Sequence, residues 1–387
     1  MSSLEETLAG RREKETPGWA PPLRIVLKAA LLFLLLNLLF GWLNPLETLG
    51  RLSLYNTLFP GRLRLPYGEL PSEDYNLTLN NIPAMLASHV VAQPKADDEF
   101  RILVIGDSGT WGWLLENEDT LAGQLNRLGL ETADGRRITA YNLGYPVLAV
   151  TKDLVLLDAA MPYEPDLILW PVTLDSFPIE KQLTHPLLQN NPGRVRPLIA
   201  QYNLNLDPDD ERFVDPNFWQ RTITGRRREL ADLLRLQGYG VSWAATGIDQ
   251  SRPDEITLRR SDFDEDFSWQ EFEAPATLRP EDLSIEVLNA GVQMAGEIPV
   301  LIVNEPMFIS DGENSDLRYN AFYPRWAYDQ YRDLLAANAT EEGWHYLDLW
   351  DQIPAQEFTD TPVHMSPVGT AQFAELLQPA ILKLSGN

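Results

Sequence analysis

The stretch that decides the fold is residues 101–112, RILVIGDSGTWG. Ile102 to Ile105 form an unbroken apolar run, and Gly106 ends it. A short run with no polar alternation suits a strand buried on both faces, as parallel sheets require. Working outward, ITAYNLG (138–144), DLILWPV (166–172), PVLIVNEP (299–306) and HYLDLW (345–350) repeat the pattern. Helices are expected between them, over 121–130, 151–160, 280–295 and 328–337. A final helix is expected over 367–384, with Ser366 as N-cap and Pro367 as first residue. There Phe373, Leu376, Leu377, Ala380, Ile381 and Leu384 share one face. Strands alternating with helices predict a three-layer α/β/α domain around a parallel five-stranded sheet.

The chain before that domain has a different character. Ile25 to Leu43 reads IVLKAALLFLLLNLLFGWL, and from Ala29 onward only Asn37 is polar. This is long enough to cross a bilayer if Lys28 snorkels to one interface and Trp42 sits at the other. Arg11, Arg12, Lys14, Arg24 and Lys28 precede it, and Arg51 is the first basic residue after it. The positive-inside rule then places the N-terminus in the cytoplasm and the main domain outside. A cleaved leader fits less well, because no small-x-small site follows Leu43. A buried core helix also fits less well, because the run is apolar all round. The expected division is a tail over 1–24, a membrane helix over 25–44, a juxtamembrane segment over 45–98 and the α/β/α domain over 99–387. An insertion over about 178–280 is expected to contain one helix (226–236) and an acidic, aromatic run (261–273).

Composition closes several doors. Of the 387 residues, 31 are Lys or Arg and 56 are Asp or Glu, a formal net charge of −25 that repels phosphate backbones and argues against nucleic acid as partner. There is no cysteine, so disulfides, thiolate nucleophiles and Cys-ligated metals are excluded. The four histidines are His89, His185, His345 and His364, and none makes an H-x-x-x-H pair. No metal site and no cofactor is expected. Carboxylates at 261–273 lack the Gly and spacing of an EF-hand calcium loop.

Ligands of open parallel sheets sit at the carboxyl ends of the strands, so the residues just after each strand are the candidates. Ser108 follows the first strand in Gly106-Asp107-Ser108-Gly109. A Ser on such a turn can expose its Oγ, although Ser is also ordinary in strand–helix turns. Asn142 and Gly144 follow the second strand, and a Gly there can offer a backbone N–H to an oxyanion. Thr173, Leu174, Asp175 and Ser176 follow the third strand, and Asn304 and Glu305 follow the fourth. Before the last helix stands TDTPVHM (359–365), where Asp360 can orient His364 and His364 can take a proton from a Ser. Residues 304–325 leave a strand end, and Arg318, Tyr319, Tyr323, Arg325 and Trp326 would suit a polar ring-shaped ligand. A packed surface loop explains the same residues equally well.

Together these pieces resemble the SGNH (GDSL-type) hydrolase superfamily over roughly residues 101–175 and 299–384. Gly106-Asp107-Ser108, Asn142 with Gly144, and the Asp360/His364 element carry the resemblance. DSGTWGWLLENEDT (107–120) is also similar to the family's membrane-anchored, polysaccharide-modifying bacterial members. The resemblance implies Ser108 as nucleophile, His364 as base and then acid, and Asp360 as orienting carboxylate. It further implies an oxyanion site from the N–H groups of Ser108 and Gly144, with substrate contacts from Asp107, Asn304, Glu305, Arg318, Tyr323 and Arg325. The substrate implied is an acyl ester, acetyl first, on a cell-surface or exported glycan. Water as acceptor makes the protein an esterase; a sugar hydroxyl makes it a transferase supplied by a membrane acyltransferase partner. Two departures stand out. The family's Asp lies three residues before the His, where this chain has Thr361; Asp360 lies one further back, with Asp348 and Asp351 as distant stand-ins. The family's third block supplies an Asn donor, and here Leu174 or Asp175 occupies that place, leaving Thr173, Asp175, Ser176 or Asn304 to be tested as a replacement. An ionised Asp cannot donate. The departures favour a second expectation, a slow or inactive scaffold subunit of a polysaccharide assembly or export complex.

Overall fold

The computed structural model describes residues 22–386. Most of the tail expected over 1–24 lies outside the described residues. Contacts divide the chain into two units, α1 (Pro22–Leu43) through Pro45 with residues 216–227, and residues 46–215 with 228–386. Among the described residues, α1 is the one helix long and apolar enough to cross a bilayer. Its polar residue is paired within the first unit: Asn37 Nδ2 donates to Thr224 Oγ1 (3.1 Å) and Asn37 Oδ1 accepts from the Thr224 N–H (3.1 Å).

The second unit begins with short helical pieces and α2 (Ile82–Ser88), which is buried throughout. Five strands follow: β1 (Glu99–Val104), β2 (Arg137–Asn142), β3 (Leu167–Val172), β4 (Val300–Asn304) and β5 (His345–Asp348). They pair in parallel in the order β2-β1-β3-β4-β5. The long helices are α3 (Leu121–Arg127), α4 (Val150–Ala160), α5 (Pro192–Tyr202), α6 (Arg227–Thr246), α7 (Glu286–Ala295), α8 (Arg325–Glu342) and α9 (Pro367–Leu384).

Period-2 alternation sorts the strand side chains into two cores. Leu103, Ile168, Trp170 and Ile302 face one layer with α4, α7 and α8. Ile102, Val104, Leu167, Leu169, Leu301 and Val303 face the other with α3 and α9. The handedness of parallel crossovers explains the split. From β1 to β2 the chain steps one way across the sheet, and its helix α3 lies on one face. From β2 to β3, β4 and β5 it steps the other way, and α4, α7 and α8 lie on the opposite face. The chain then returns from the β5 edge to set α9 beside α3, crossing the carboxyl ends of the strands as it goes.

Pro171 inside a central strand breaks no ladder. The Val172 carbonyl faces β4, where it accepts from the Glu305 N–H (3.0 Å), whereas the Leu169 carbonyl faces β1 and accepts from the Ile105 N–H (3.0 Å). Pro171, two residues on from Leu169, therefore faces the β1 side just where β1 pairing has ended. The missing donor helps open a crevice between β1 and β3.

The sequence pattern placed the strands within three residues, but the insertion differs. It holds two long helices, not one. α5 was hidden by Pro192, Gly193 and Pro197, yet Pro192 is a good first-turn residue. α6 runs on past Leu236 to Thr246 through Gly238 and Gly240, because Gly240 lies against the Tyr55 ring rather than ending the helix. The helix expected from Pro280 starts at Glu286, after a 3₁₀ turn at Pro280–Asp282. The 261–273 run is not simply solvated. Phe263 and Trp269 are buried, and Trp269, Phe272 and Trp326 pack edge and face on one another.

Helix α7 approaches the sheet closely. A Cβ at Gly291 would come 2.3 Å from Trp170 Cζ3. Gly291→Ala should therefore lower stability by about 1–3 kcal/mol through overpacking. Gly238→Ala, with open space around it in α6, should raise it by about 0.5–1 kcal/mol. Thermal unfolding of the full chain in detergent reads both, and a Gly291→Ala melt equal to the parent's would refute the close contact.

Candidate active site

The site forms where the strand order reverses, between β1 and β3. After β1 the chain turns into a single helical turn, Ser108–Trp111. Asp107 caps it, its Oδ1 accepting a 2.8 Å hydrogen bond from the Gly109 N–H. The cap makes Ser108 the first helical residue, so its N–H is one that a helix cannot satisfy internally. Gly109 leaves room for what packs there: a Cβ would meet the Val363 carbonyl at 3.0 Å.

The chain returning from β5 to α9 crosses this turn and brings His364 with it. His364 Nε2 lies 2.8 Å from Ser108 Oγ, and His364 Nδ1 lies 2.9 Å from Asp360 Oδ1. The loop closes on itself. The Thr359 N–H donates to the His364 carbonyl (2.8 Å), and the His364 N–H donates to Thr361 Oγ1 (3.2 Å). Thr361, where the resemblance expects an Asp, thus caps the turn, and Asp360 reaches the imidazole. Burial alone would raise the Asp360 pKa, but the hydrogen bond and charge of His364 outweigh it and hold the carboxyl below its ordinary value. Asp348 and Asp351 are engaged elsewhere. Asp348 accepts from Asn304 Nδ2 (2.8 Å) and Arg332 Nη2 (2.6 Å), and Asp351 from Gln352 Nε2 (2.6 Å).

Several expected site residues turn out to be structural. The Gly144 N–H donates to Asn142 Oδ1 (3.0 Å), so it is not free for an oxyanion. Asn304 is fully buried, with Nδ2 on Asp348 and Oδ1 accepting from the hydroxyls of Tyr328 (3.2 Å) and Tyr331 (3.3 Å); it can neither donate to an oxyanion nor touch substrate. Thr173 Oγ1 pairs with the Tyr323 hydroxyl at 2.9 Å, and both side chains are buried. Ser176 is also buried, and Leu174 beside it fills core. Asp175 accepts from Lys181 Nζ (2.5 Å) and Gln270 Nε2 (2.8 Å). Arg318 is buried and donates to Asp266 Oδ2 (3.1 Å) and to the Ser268 carbonyl (3.0 Å). Arg325 Nε donates to the Ser315 carbonyl (2.7 Å), and its guanidinium covers the Tyr319 ring. The 304–326 stretch is therefore a packed loop, and its charged and aromatic residues hold it together. Glu305 is buried too, behind the turn rather than open to a ligand.

The structure also places residues the sequence did not point to. The Trp113 ring stacks on the His364 ring (centroids 6.1 Å apart, planes at 26°), and Tyr67 meets Trp113 edge-on at 6.1 Å. Tyr67 comes from the segment before β1. So does Arg64, which is ion-paired to Asp249 and donates to the Gly112 carbonyl (2.8 Å) at the end of the Ser108–Trp111 turn. Lys152 is fully buried in α4. Its Nζ donates to the Gly106 carbonyl (2.6 Å), the Tyr145 carbonyl (3.1 Å) and Asp153. Asp153 also accepts from Trp170 Nε1 (3.2 Å), and burial raises its pKa to about 6. A Lys-Asp pair within an otherwise apolar helix stretch, VTKDLVLL, was the available signal.

The fold and site define a three-layer α/β/α protein with a Ser–His–Asp hydrogen-bonded chain at the carboxyl edge of its sheet. No family model and no curated protein matches the chain. Among solved structures it is similar to a carbohydrate acetylesterase family member from Sinorhizobium meliloti (14% identity, 74% of this chain and 99% of that one, TM-score 0.32). It is similar also to a protein assigned to the lipolytic G-D-S-L family from Desulfitobacterium hafniense (12%, 72% and 98%, 0.33) and to an aryl esterase from M. smegmatis (13%, 73% and 99%, 0.33).

The Asp360–His364 contact has a pH signature. A carboxyl held below its ordinary value of 3.8 contributes stability that is present above that pH and lost as pH falls through the folded value. The melting temperatures of the parent and of Asp360→Asn should differ at pH 7 and converge below about pH 3.8. A gap that stays constant into acid would deny the contact.

Proposed function

We propose that this protein is a membrane-anchored serine esterase or O-acyltransferase that acts on acyl groups, acetyl first, of a cell-surface or exported glycan. One observation carries the reading: Ser108 Oγ, the His364 ring and the Asp360 carboxylate are joined by hydrogen bonds of 2.8 and 2.9 Å beside a helix-start N–H. His364 Nε2 takes the Ser108 proton as Oγ attacks the ester carbonyl. The Ser108 N–H faces the oxygen that becomes negative. The C–O bond of the ester then breaks, His364 gives the proton to the departing alcohol, and an acyl-Ser remains. Water or a sugar hydroxyl attacks the acyl-Ser and gives its proton to His364; the acyl C–Oγ bond then breaks and His364 returns the proton to Ser108 Oγ. Asp360 holds the imidazole tautomer and balances the imidazolium. The resemblance to SGNH hydrolases, noted in the sequence, supports the ester substrate. The apolar helix with basic residues on its N-terminal side supports an anchored domain on the outer face of a membrane. That location favours a glycan acceptor and, for transfer, a membrane acyltransferase as donor.

A second reading, a slow or non-catalytic glycan-binding subunit of a polysaccharide assembly complex, is favoured by one observation. The Gly144 N–H and the Asn304 amide are both engaged internally, and Leu174 fills core, so few donors remain for an oxyanion. Loss of one such donor costs about 10²–10³ in rate.

Release of p-nitrophenol from p-nitrophenyl acetate by the full chain in detergent separates the two readings. Under the first, Ser108→Ala and His364→Ala each lower turnover by about 10³-fold or more, and Asp360→Asn by about 10²–10⁴. Labelling of Ser108 by a fluorophosphonate should vanish in the His364→Ala variant. An intact chain that neither cleaves the ester nor takes the label supports the second reading.

A further inference from the structure

Behind the nucleophile turn lies a set of buried charges that this reaction leaves unused. Glu305 follows β4 directly and is 2% exposed. Its Oε2 sits 3.8 Å from the point a Cβ on Gly109 would occupy, and Asp107 Oδ1 sits 3.3 Å from the same point. The carboxyl is therefore packed against the residue that follows Ser108. Its Oε1 has no hydrogen-bond partner. The nearby hydroxyls are engaged elsewhere, Tyr323 with Thr173 and both Tyr328 and Tyr331 with Asn304. The charges facing it are Asp107 from the β1 turn and Asp153 and Lys152 from α4. Two of these are acids. Lys152 has three protons to give, and they go to Gly106, Tyr145 and Asp153.

An ionised Glu305 would be a third buried negative charge against one cation, with an oxygen unpaired. Protein interiors avoid that arrangement by keeping the proton on. Burial first, then the charges of Asp107 and Asp153, push this carboxyl well above the ordinary glutamate range.

We propose that Glu305 is a positioning residue for acyl transfer at Ser108: as a neutral acid it packs behind the nucleophile turn, and on ionising it adds a negative charge that opposes the oxyanion. The proposal rests on the reading of Ser108 as nucleophile. Glu305 is 2% exposed and takes no part in the Ser108–His364–Asp360 hydrogen bonds, so it acts through the turn. A charge about one residue from the oxyanion, at the effective dielectric of such sites, should lower kcat/KM on the order of 10- to 100-fold.

The test uses the full chain in detergent, with p-nitrophenyl acetate and kcat/KM measured from pH 6 to 10, each variant scaled to its own maximum. The parent should lose activity on the alkaline side with the slope of one proton. Glu305→Gln, with the same shape and no proton to lose, should be flat there. Glu305→Met serves if the Gln variant does not fold. An alkaline fall of equal midpoint in the variant, or none in the parent, overturns the proposal. Thermal unfolding gives a readout that needs no catalysis. Because the group is neutral when folded and ionises when unfolded, its stability contribution is full below about pH 4.5 and is lost as pH rises toward the folded value. The melting temperature of Glu305→Gln minus that of the parent should therefore grow with pH and then level. A gap that does not change with pH overturns the proposal. A growing gap in a chain that cleaves no ester overturns the link to acyl transfer, and with it the nucleophile reading, while leaving the ionisation of Glu305 established.

Discussion

The three inner strands, β1, β3 and β4, are buried at every residue, so both faces of the sheet must be covered, and that constraint orders the rest of this protein. Helices take both faces of the sheet and the crossovers take its edges. The carboxyl ends of the strands are left as the place where backbone groups are unpaired and loops can meet. The reversal of strand order between β1 and β3 widens that edge, and Pro171 keeps β3 from closing it. Ser108 lies at this reversal because it follows β1. His364 lies there because the chain has to cross from the β5 edge to reach the α3 side of the sheet.

Polar groups buried near that edge are fixed by a few hubs. Lys152 gathers carbonyls from the turn after β1 and the turn after β2, so the two loops cannot move independently. Asn304 gathers two tyrosine hydroxyls and Asp348, and so fastens β4, β5 and α8 together. Arg64 ties the segment before β1 to the end of the Ser108–Trp111 turn. Each hub is nearly saturated, which is what a low-dielectric interior demands of a group that cannot reach water. Saturation is also why residues with attractive chemistry, Asn304 and Arg318 above all, are unavailable to a ligand.

How much of this was legible follows from the range of the interactions involved. The strands were readable because a doubly buried strand writes its burial into consecutive residues. α9 was readable to the residue because Ser366 and Pro367 mark its start locally. Ser108, Asp360 and His364 could be named as candidates because each stands beside a strand end or a helix start, although the contact between them spans the chain. The donors were misjudged for the opposite reason. Whether the Gly144 N–H or the Asn304 amide is free depends on a partner's side-chain direction, which no local pattern records. The extent of α6 was obscured by Gly238 and Gly240, since a glycine that makes room for Tyr55 looks the same in sequence as one that ends a helix. Tyr67 carried no signal beyond being aromatic, and Trp113 stood in the 107–120 stretch with nothing to mark it apart from its neighbours.

The hydrogen bond between Ser108 and His364 joins residues 256 apart in sequence. Its two ends belong to the first strand of the sheet and to the approach of the last helix. Contacts of such separation form late, because the chain between them must be ordered first. During synthesis the Ser108 turn emerges long before His364. A chain interrupted anywhere in the insertion would carry Ser108 without its hydrogen-bond partner His364. The hydrogen bond at Ser108 is therefore completed only when the whole domain has folded, so that assembly itself acts as the safety catch on the proposed chemistry.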